Sequence, residues 1–284
     1  VLASPIVPVA RTARLPLSFA QQRLWFLTQM DPASGAYNLP FALKLQGALN
    51  CAALEKSFSE LVRRHETLRT TFPSVDGEAR QVIVSPERFA FVMEDLTGFP
   101  DDERAASVMR RAEEEAHRPF ALERDLPIRA RLLKVQDDEH ILLVTVHHIA
   151  ADAWSLAVVT NEVAAVYRAL AGASTQPADG GSISVERILP ELPVQYIDFS
   201  FWQREWLQGA VLEQEVGYWK QRLGSNPPQL ALRTDHPRPE IHTYRGGRHA
   251  FLVSKEVADA LRTLSRRHGA TVFMTLLSAF NVLL

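Results

Sequence analysis

Only one cysteine, Cys51, occurs in the 284 residues, so no disulfide can form within the chain. That usage fits a reducing cytoplasm, the compartment expected here. Cys51 has no local support as a nucleophile and reads as a small buried hydrophobe. No apolar run approaches the roughly 20 residues that a membrane span needs. The opening segment VLASPIVPVARTARLP lacks a charged region followed by a long apolar core, which excludes a signal peptide. An excess of either charge is missing too. Lys and Arg number 31 against 33 Asp and Glu, for a net charge of −2. The basic residues form no stripe broken by aromatics, which argues against a nucleic-acid partner. There is no GxGxxG or phosphate loop for a nucleotide and no GxSxG elbow around Ser155. No HxxxH or CxxC spacing offers a zinc site.

What is present is a core-forming chain, 46% hydrophobic and long enough for one large domain or two smaller ones. Ser18 caps a predicted helix over Leu17 to Met30. A strand follows at Phe41 to Gly47, then a helix over Ala52 to His65. Short strands are expected at Leu68 to Phe72 and Gln81 to Val84. A charged helix spans Ala105 to His117. Paired strands at Ile128 to Val135 and His140 to Val146 meet at the polar turn QDDE. The second carries ILLVTV, an almost unbroken apolar run that suits burial on both faces. A long apolar helix covers Ser155 to Ala171. The stretch from Gly172 to Pro193 is rich in Gly, Ser and Pro and marks the interior boundary. Beyond it, residues 194–223 read as aromatic-rich helix. A strand at His249 to Val253 and helices at Lys255 to Arg267 and Thr271 to Leu284 complete the pattern. The last helix has no cap, Gly or Pro to end it, so the chain is expected to continue. This gives a linker at 1–14, a first subdomain at 15–175, a linker at 176–193 and part of a second subdomain at 194–284.

The chemistry concentrates in VTVHHIAADAW, residues Val144 to Trp154. A neutral imidazole at a strand end can take a proton near pH 7. Strand neighbours point to opposite faces, so His147 and His148 cannot readily chelate one metal ion. For the same reason one ring faces a substrate and the other packs inward, and spacing alone does not say which. Asp152 lies four positions after His148, where a carboxylate can fix the loop and a ring's tautomer. A second stretch, RRHETLRTTF (Arg63 to Phe72), holds His65. It also supplies Arg64 and Arg69 as cations for a buried carboxylate.

Four segments in this order resemble the condensation domains of nonribosomal peptide synthetases. LSFAQQRLWFL (Leu17 to Leu27) is similar to the family's opening motif, and RRHETLRTTF to its second. HHIAADAW (His147 to Trp154) is similar to its central signature of two histidines, three variable residues, aspartate and glycine. YIDFSFWQRE (Tyr196 to Glu205), followed by YWKQRL, is similar to its fourth. Ala153 stands where the family usually has glycine. A residue there with φ > 0 would be strained by about 1 kcal/mol or more.

The resemblance implies an α+β fold, an α/β sandwich like chloramphenicol acetyltransferase. It has a mixed sheet with flanking helices and the start of a second, similar subdomain. It implies an upstream donor and a downstream acceptor peptidyl carrier protein, with an adenylation domain adjacent. Substrates arrive on their phosphopantetheine arms, and the domain itself binds no metal or cofactor. An acceptor amine attacks a donor thioester, with the opening motif leaning towards an L-donor. The resemblance makes His148 the catalytic residue and His147 structural. It also pairs Asp152 with Arg64 or Arg69. The alternatives are a stand-alone CoA-dependent acyltransferase of the same superfamily and a non-catalytic domain that recruits carriers.

Overall fold

A computed structural model describes residues 4–12, 15–173, 188–227, 231–232, 234–237, 246–247 and 249–284. By contacts the chain divides into Val1–Tyr218 and Trp219–Leu284.

The first unit is built on the ILLVTV run. It forms β8 (Glu139–His147), an inner strand of a four-stranded sheet. Its neighbours are β1 (Asn38–Gln46) and β7 (Ile128–Gln136), both antiparallel to it. The order is β1-β8-β7-β6, and β6 (Phe91–Asp95) runs parallel to β7. The β7–β8 hairpin turns at Asp137 and Asp138, within the expected QDDE turn.

Helices cover both faces. On one side, α2 (Cys51–Arg64) and α4 (Ala153–Ala173) pack Phe58, Leu61, Val62, Val159 and Val163 against Val144 and Val146. On the other, α3 (Asp101–His117) sets Val108 and Ala112 against Leu133 and Leu143. An unbroken apolar strand is stable here because neither face meets water.

Local signals explain most helix starts. Helix α1 (Phe19–Met30) has a capping box: Ser18 Oγ accepts from the Gln21 N–H at 3.1 Å, and Gln21 Oε1 accepts from the Ser18 N–H at 3.0 Å. Helix α3 starts at Asp101, four residues ahead of expectation. Asp101, Asp102 and Glu103 fill its first turn, where the helix dipole favours negative charge.

Three expectations need correction. The strand expected at Leu68 to Phe72 shrinks to β2 (Thr70–Thr71), paired with β5 (Val82–Ile83). Glu66–Arg69 forms a 3-10 turn instead. Between these strands lies an unexpected hairpin of β3 (Ser74–Val75) and β4 (Glu78–Ala79). Asp76 and Gly77 take φ of 56° and 78° at its tip, as a two-residue Asp-Gly turn requires. Residues 249–253 form no strand; among the described residues no neighbour pairs with them.

Of the expected linkers, 176–193 falls mostly outside the described residues, and only 188–193 are described. The opening segment packs onto α5 (Tyr196–Trp206), which belongs to the first unit. The Asp198 side chain, 0% exposed, accepts from the Val9 N–H at 2.9 Å and from Arg11 Nη1 at 2.6 Å. Helix α6 (Gly209–Leu223) follows and crosses the division between the units. In the second unit, α7 (Lys255–Arg267) and α8 (Val272–Leu283) pack together, with Ser265 Oγ and Thr275 Oγ1 hydrogen-bonded at 2.7 Å.

Candidate active site

Strand β8 ends at His147 and His148 follows directly, and the strand's alternation separates the two rings. His147 is 4% exposed and His148 is exposed. The His147 ring packs edge-on to Phe120, with centroids 5.7 Å apart. Its Nδ1 accepts a hydrogen bond from the Ile149 N–H at 3.1 Å, which places the neutral ring's proton on Nε2. Burial, with the neighbouring His148 and Arg129 adding to it, lowers the His147 pKa to about 4. His147 is therefore a neutral core residue near pH 7. Main-chain bonds fix the backbone on either side: His147 N–H to Pro127 O at 2.9 Å and His148 N–H to Tyr37 O at 2.8 Å. The His148 ring is exposed and makes no hydrogen bond among the described residues.

The neutral His147 has a consequence for stability. Above pH 6.5 the ring is uncharged whether folded or unfolded. Below that the unfolded chain takes up a proton that the folded chain refuses, so stability falls until about pH 4. The loss is on the order of 3 kcal/mol from this site. Denaturant melts from pH 7 to 4 should show this slope, and it should flatten in His147→Gln.

Asp152 does not pair with Arg64 or Arg69. It caps α4. Its Oδ1 accepts from the Ser155 N–H at 2.8 Å and from Ser155 Oγ at 2.7 Å. Ser155 Oγ in turn accepts from the Asp152 N–H at 3.1 Å. These bonds, the Ser155 hydroxyl first, hold the carboxyl below its ordinary pKa. An exposed aspartate two bonds from its own helix has no need of a distant cation. The D-x-x-S spacing in DAWS was the available sequence signal for this cap.

The arginines have other partners. Arg64, 7% exposed, donates to the Pro190 carbonyl, to Leu189 O at 3.3 Å and to Glu162 Oε1 at 3.3 Å. Glu162 also binds His65, with Oε2 2.7 Å from Nε2. Burial pushes the Glu162 carboxyl up, but His65 and Arg64 outweigh it and hold it below the usual carboxylate value. Arg69 donates to Val84 O at 2.9 Å. The second motif still reaches the signature loop, through Thr67 Oγ1 donating to Ala150 O at 3.4 Å. A cavity of about 260 Å³ lies beside this loop, with His65, Ala150, Trp154, Ser155 and Tyr196 in its walls. Sequence reasoning missed Glu162, which lies on the far helix with nothing local to mark it.

A family model for the condensation domain matches residues 12–284. This chain belongs to the condensation-domain family. It is 45% identical over 280 residues to a linear gramicidin synthase protein of Brevibacillus parabrevis, covering 99% of this chain and 4% of that protein. It is 39% identical over 270 residues to phosphinothricin tripeptide synthetase PhsC of Streptomyces viridochromogenes, covering 95% of this chain and 24% of that one. Among solved structures, the X-domain from teicoplanin biosynthesis is similar with a TM-score of 0.76 at 28% identity, over 94% of this chain and 56% of that one. The starter condensation domain of rhizomide synthetase RzmA is similar with a TM-score of 0.61 at 25% identity, over 75% and 48%. The chain thus spans a small part of the synthetases and about half of these solved chains. The expected α/β sandwich of the chloramphenicol acetyltransferase type is the fold these condensation-domain structures share with it.

Ala153 is the condensation domain's one departure from its central signature. It is the first residue of α4, and Asp76 is the only non-glycine with φ > 0 among the described residues. No strain arises, because the first turn of a helix needs negative φ and alanine suits it better than glycine. Ala153→Gly should lower the melting temperature slightly, with a cost of at most about 1 kcal/mol. Asp152→Ala should cost about 0.5–2 kcal/mol through the lost cap. A larger Asp152→Ala loss, near that of breaking a buried ion pair, would show that the arginine pairing forms in solution.

Proposed function

We propose that this condensation domain joins a donor acyl group to an acceptor amine, each held as a thioester on a carrier protein's phosphopantetheine. The observation that carries this reading is His148, exposed just past the end of a largely buried strand, with its N–H bonded to the Tyr37 carbonyl. The acceptor nitrogen attacks the donor carbonyl. A C–N bond forms and the C–S bond breaks, releasing the donor arm as its thiolate. His148 accepts the proton lost by the nitrogen and returns one to the departing sulfur. An α-amine has a reference pKa of about 8, so little driving force is needed and correct placement contributes much of the rate.

The rest of the loop serves this ring. His147 is a neutral anchor, Asp152 starts α4, and Arg64 with Glu162 holds α2 to α4. The form of the opening motif supports an L-configured donor. The similarity to multidomain synthetases supports neighbouring carrier and adenylation domains, and the lone cysteine supports a cytoplasmic setting. Among the described residues no helix is long and apolar enough to cross a membrane.

The test uses the full synthetase with a loaded donor carrier and a loaded acceptor carrier, followed by intact-protein mass spectrometry. The acceptor carrier should gain the donor's acyl mass, and an acyl-CoA without a carrier should not replace the donor. Equal transfer from free acyl-CoA would overturn the carrier-dependent reading.

A further inference from the structure

Residues from β6, β7 and α3 line a cavity of about 530 Å³. Five arginines and two carboxylates line it, in a chain whose overall charge is slightly negative. Its inner part is partly neutralised. Arg129 pairs with Glu115 and stacks its guanidinium 3.7 Å above the Phe120 ring. Arg131 reaches Glu94 and Glu115 only at 3.7 and 3.9 Å, and its buried Nε has no partner among the described residues.

The outer part is not neutralised. Arg124 is 81% exposed and meets Asp125 only at 3.8 Å. Arg118, 55% exposed, lies 3.9 Å from Glu115. Arg88 spends its Nη2 on the Arg124 carbonyl at 2.7 Å, an acceptor that carries no charge. Guanidinium groups stay charged at any working pH and repel one another when crowded. Their forked donors match phosphate oxygens in pairs, and an anion shared between them relieves the repulsion.

We propose that this cavity binds a phosphate oxyanion. The same chemistry could come from the phosphodiester of a carrier's pantetheine arm or from a free phosphate. Only the first source rests on the proposed function. The partly paired inner arginines and the exposed Arg88, Arg118 and Arg124 line one concave site.

The experiment titrates the full chain by calorimetry with phosphopantetheine, with pantetheine and with inorganic phosphate, at 50 and 300 mM salt. Phosphopantetheine should bind at least tenfold more tightly than pantetheine, and salt should weaken it. Arg88→Gln with Arg124→Gln should erase that difference. Both side chains are exposed, so an unchanged melting temperature verifies the fold. Phosphopantetheine binding above inorganic phosphate identifies the carrier arm as the source. Equal binding of the two identifies a free phosphate. No difference between phosphopantetheine and pantetheine, or a difference that survives both substitutions, overturns the proposal. His148→Ala should bind all three ligands normally, so amide formation that continues at the parent rate in this variant, with binding retained, would count against the proposed function alone.

Discussion

Replacing Asp198 by alanine is expected to lower stability by about 3–5 kcal/mol, the cost of leaving a buried charge pair half made. The value should lie at the lower end, because Arg11 is 31% exposed. The carboxylate collects four donors. Its Oδ1 accepts from the Val9 N–H at 2.9 Å and from Arg11 Nη1 at 2.6 Å. Its Oδ2 accepts from the Gln195 N–H at 2.7 Å and from Arg11 Nη2 at 3.2 Å. Burial pushes its pKa up, yet Arg11 and these N–H groups hold it below the ordinary value. Its contribution is therefore complete above the unfolded carboxyl's pKa, near 4, and is lost as the pH falls through the lower folded value. At roughly 2–4 °C per kcal/mol for a domain of this size, the melting temperature should drop on the order of 10 °C. Arg11→Ala should cost less, since water can solvate the carboxylate it uncovers. A thermal melt of both variants, with Asp198→Asn as a volume control, decides this. Equal, small shifts would mean that the opening segment is only loosely held.

Replacing His148 by alanine is expected to cut amide formation by about 10²–10⁴, the usual contribution of a positioned acid–base group. That corresponds to roughly 3–5 kcal/mol of transition-state stabilisation. The ring is exposed and makes no hydrogen bond among the described residues, so its loss should leave stability within about 0.5 kcal/mol of the parent. The acceptor amine can lose its proton to water, so some rate should survive, most at high pH where the free amine dominates. The rate of transfer between carriers at pH 7 and pH 9 checks this. A deficit that narrows at pH 9 supports proton transfer. A deficit unchanged with pH assigns His148 to positioning alone.

The sequence made the centre of the fold legible and left its margins obscure. An apolar run such as ILLVTV forces a strand into the middle of a sheet, and Ser18 with Gln21 writes its own helix start. Both signals are local. Strand β6 had none: FVMED carries two acids and no clear alternation, and only its parallel pairing with β7 makes it a strand. The reverse failure lies at residues 249–253, where β-forming residues find no partner among the described residues. The site divides the same way. Period-2 alternation splits His147 from His148. The resemblance pairs the arginines with Asp152, whereas Glu162 lies 98 residues from Arg64 and nothing in the sequence joins them. Asp152 had a closer option in Ser155, and local capping won over a long-range ion pair.

The division of labour between the two histidines is best tested by measuring single-turnover transfer and melting temperature on the same preparations of His147→Asn and His148→Asn. The His148 variant should keep its melting temperature and lose at least about a hundredfold in rate. The His147 variant should lose stability and keep much more of its rate per folded molecule. A His148→Asn protein that transfers at the parent rate would contradict the account.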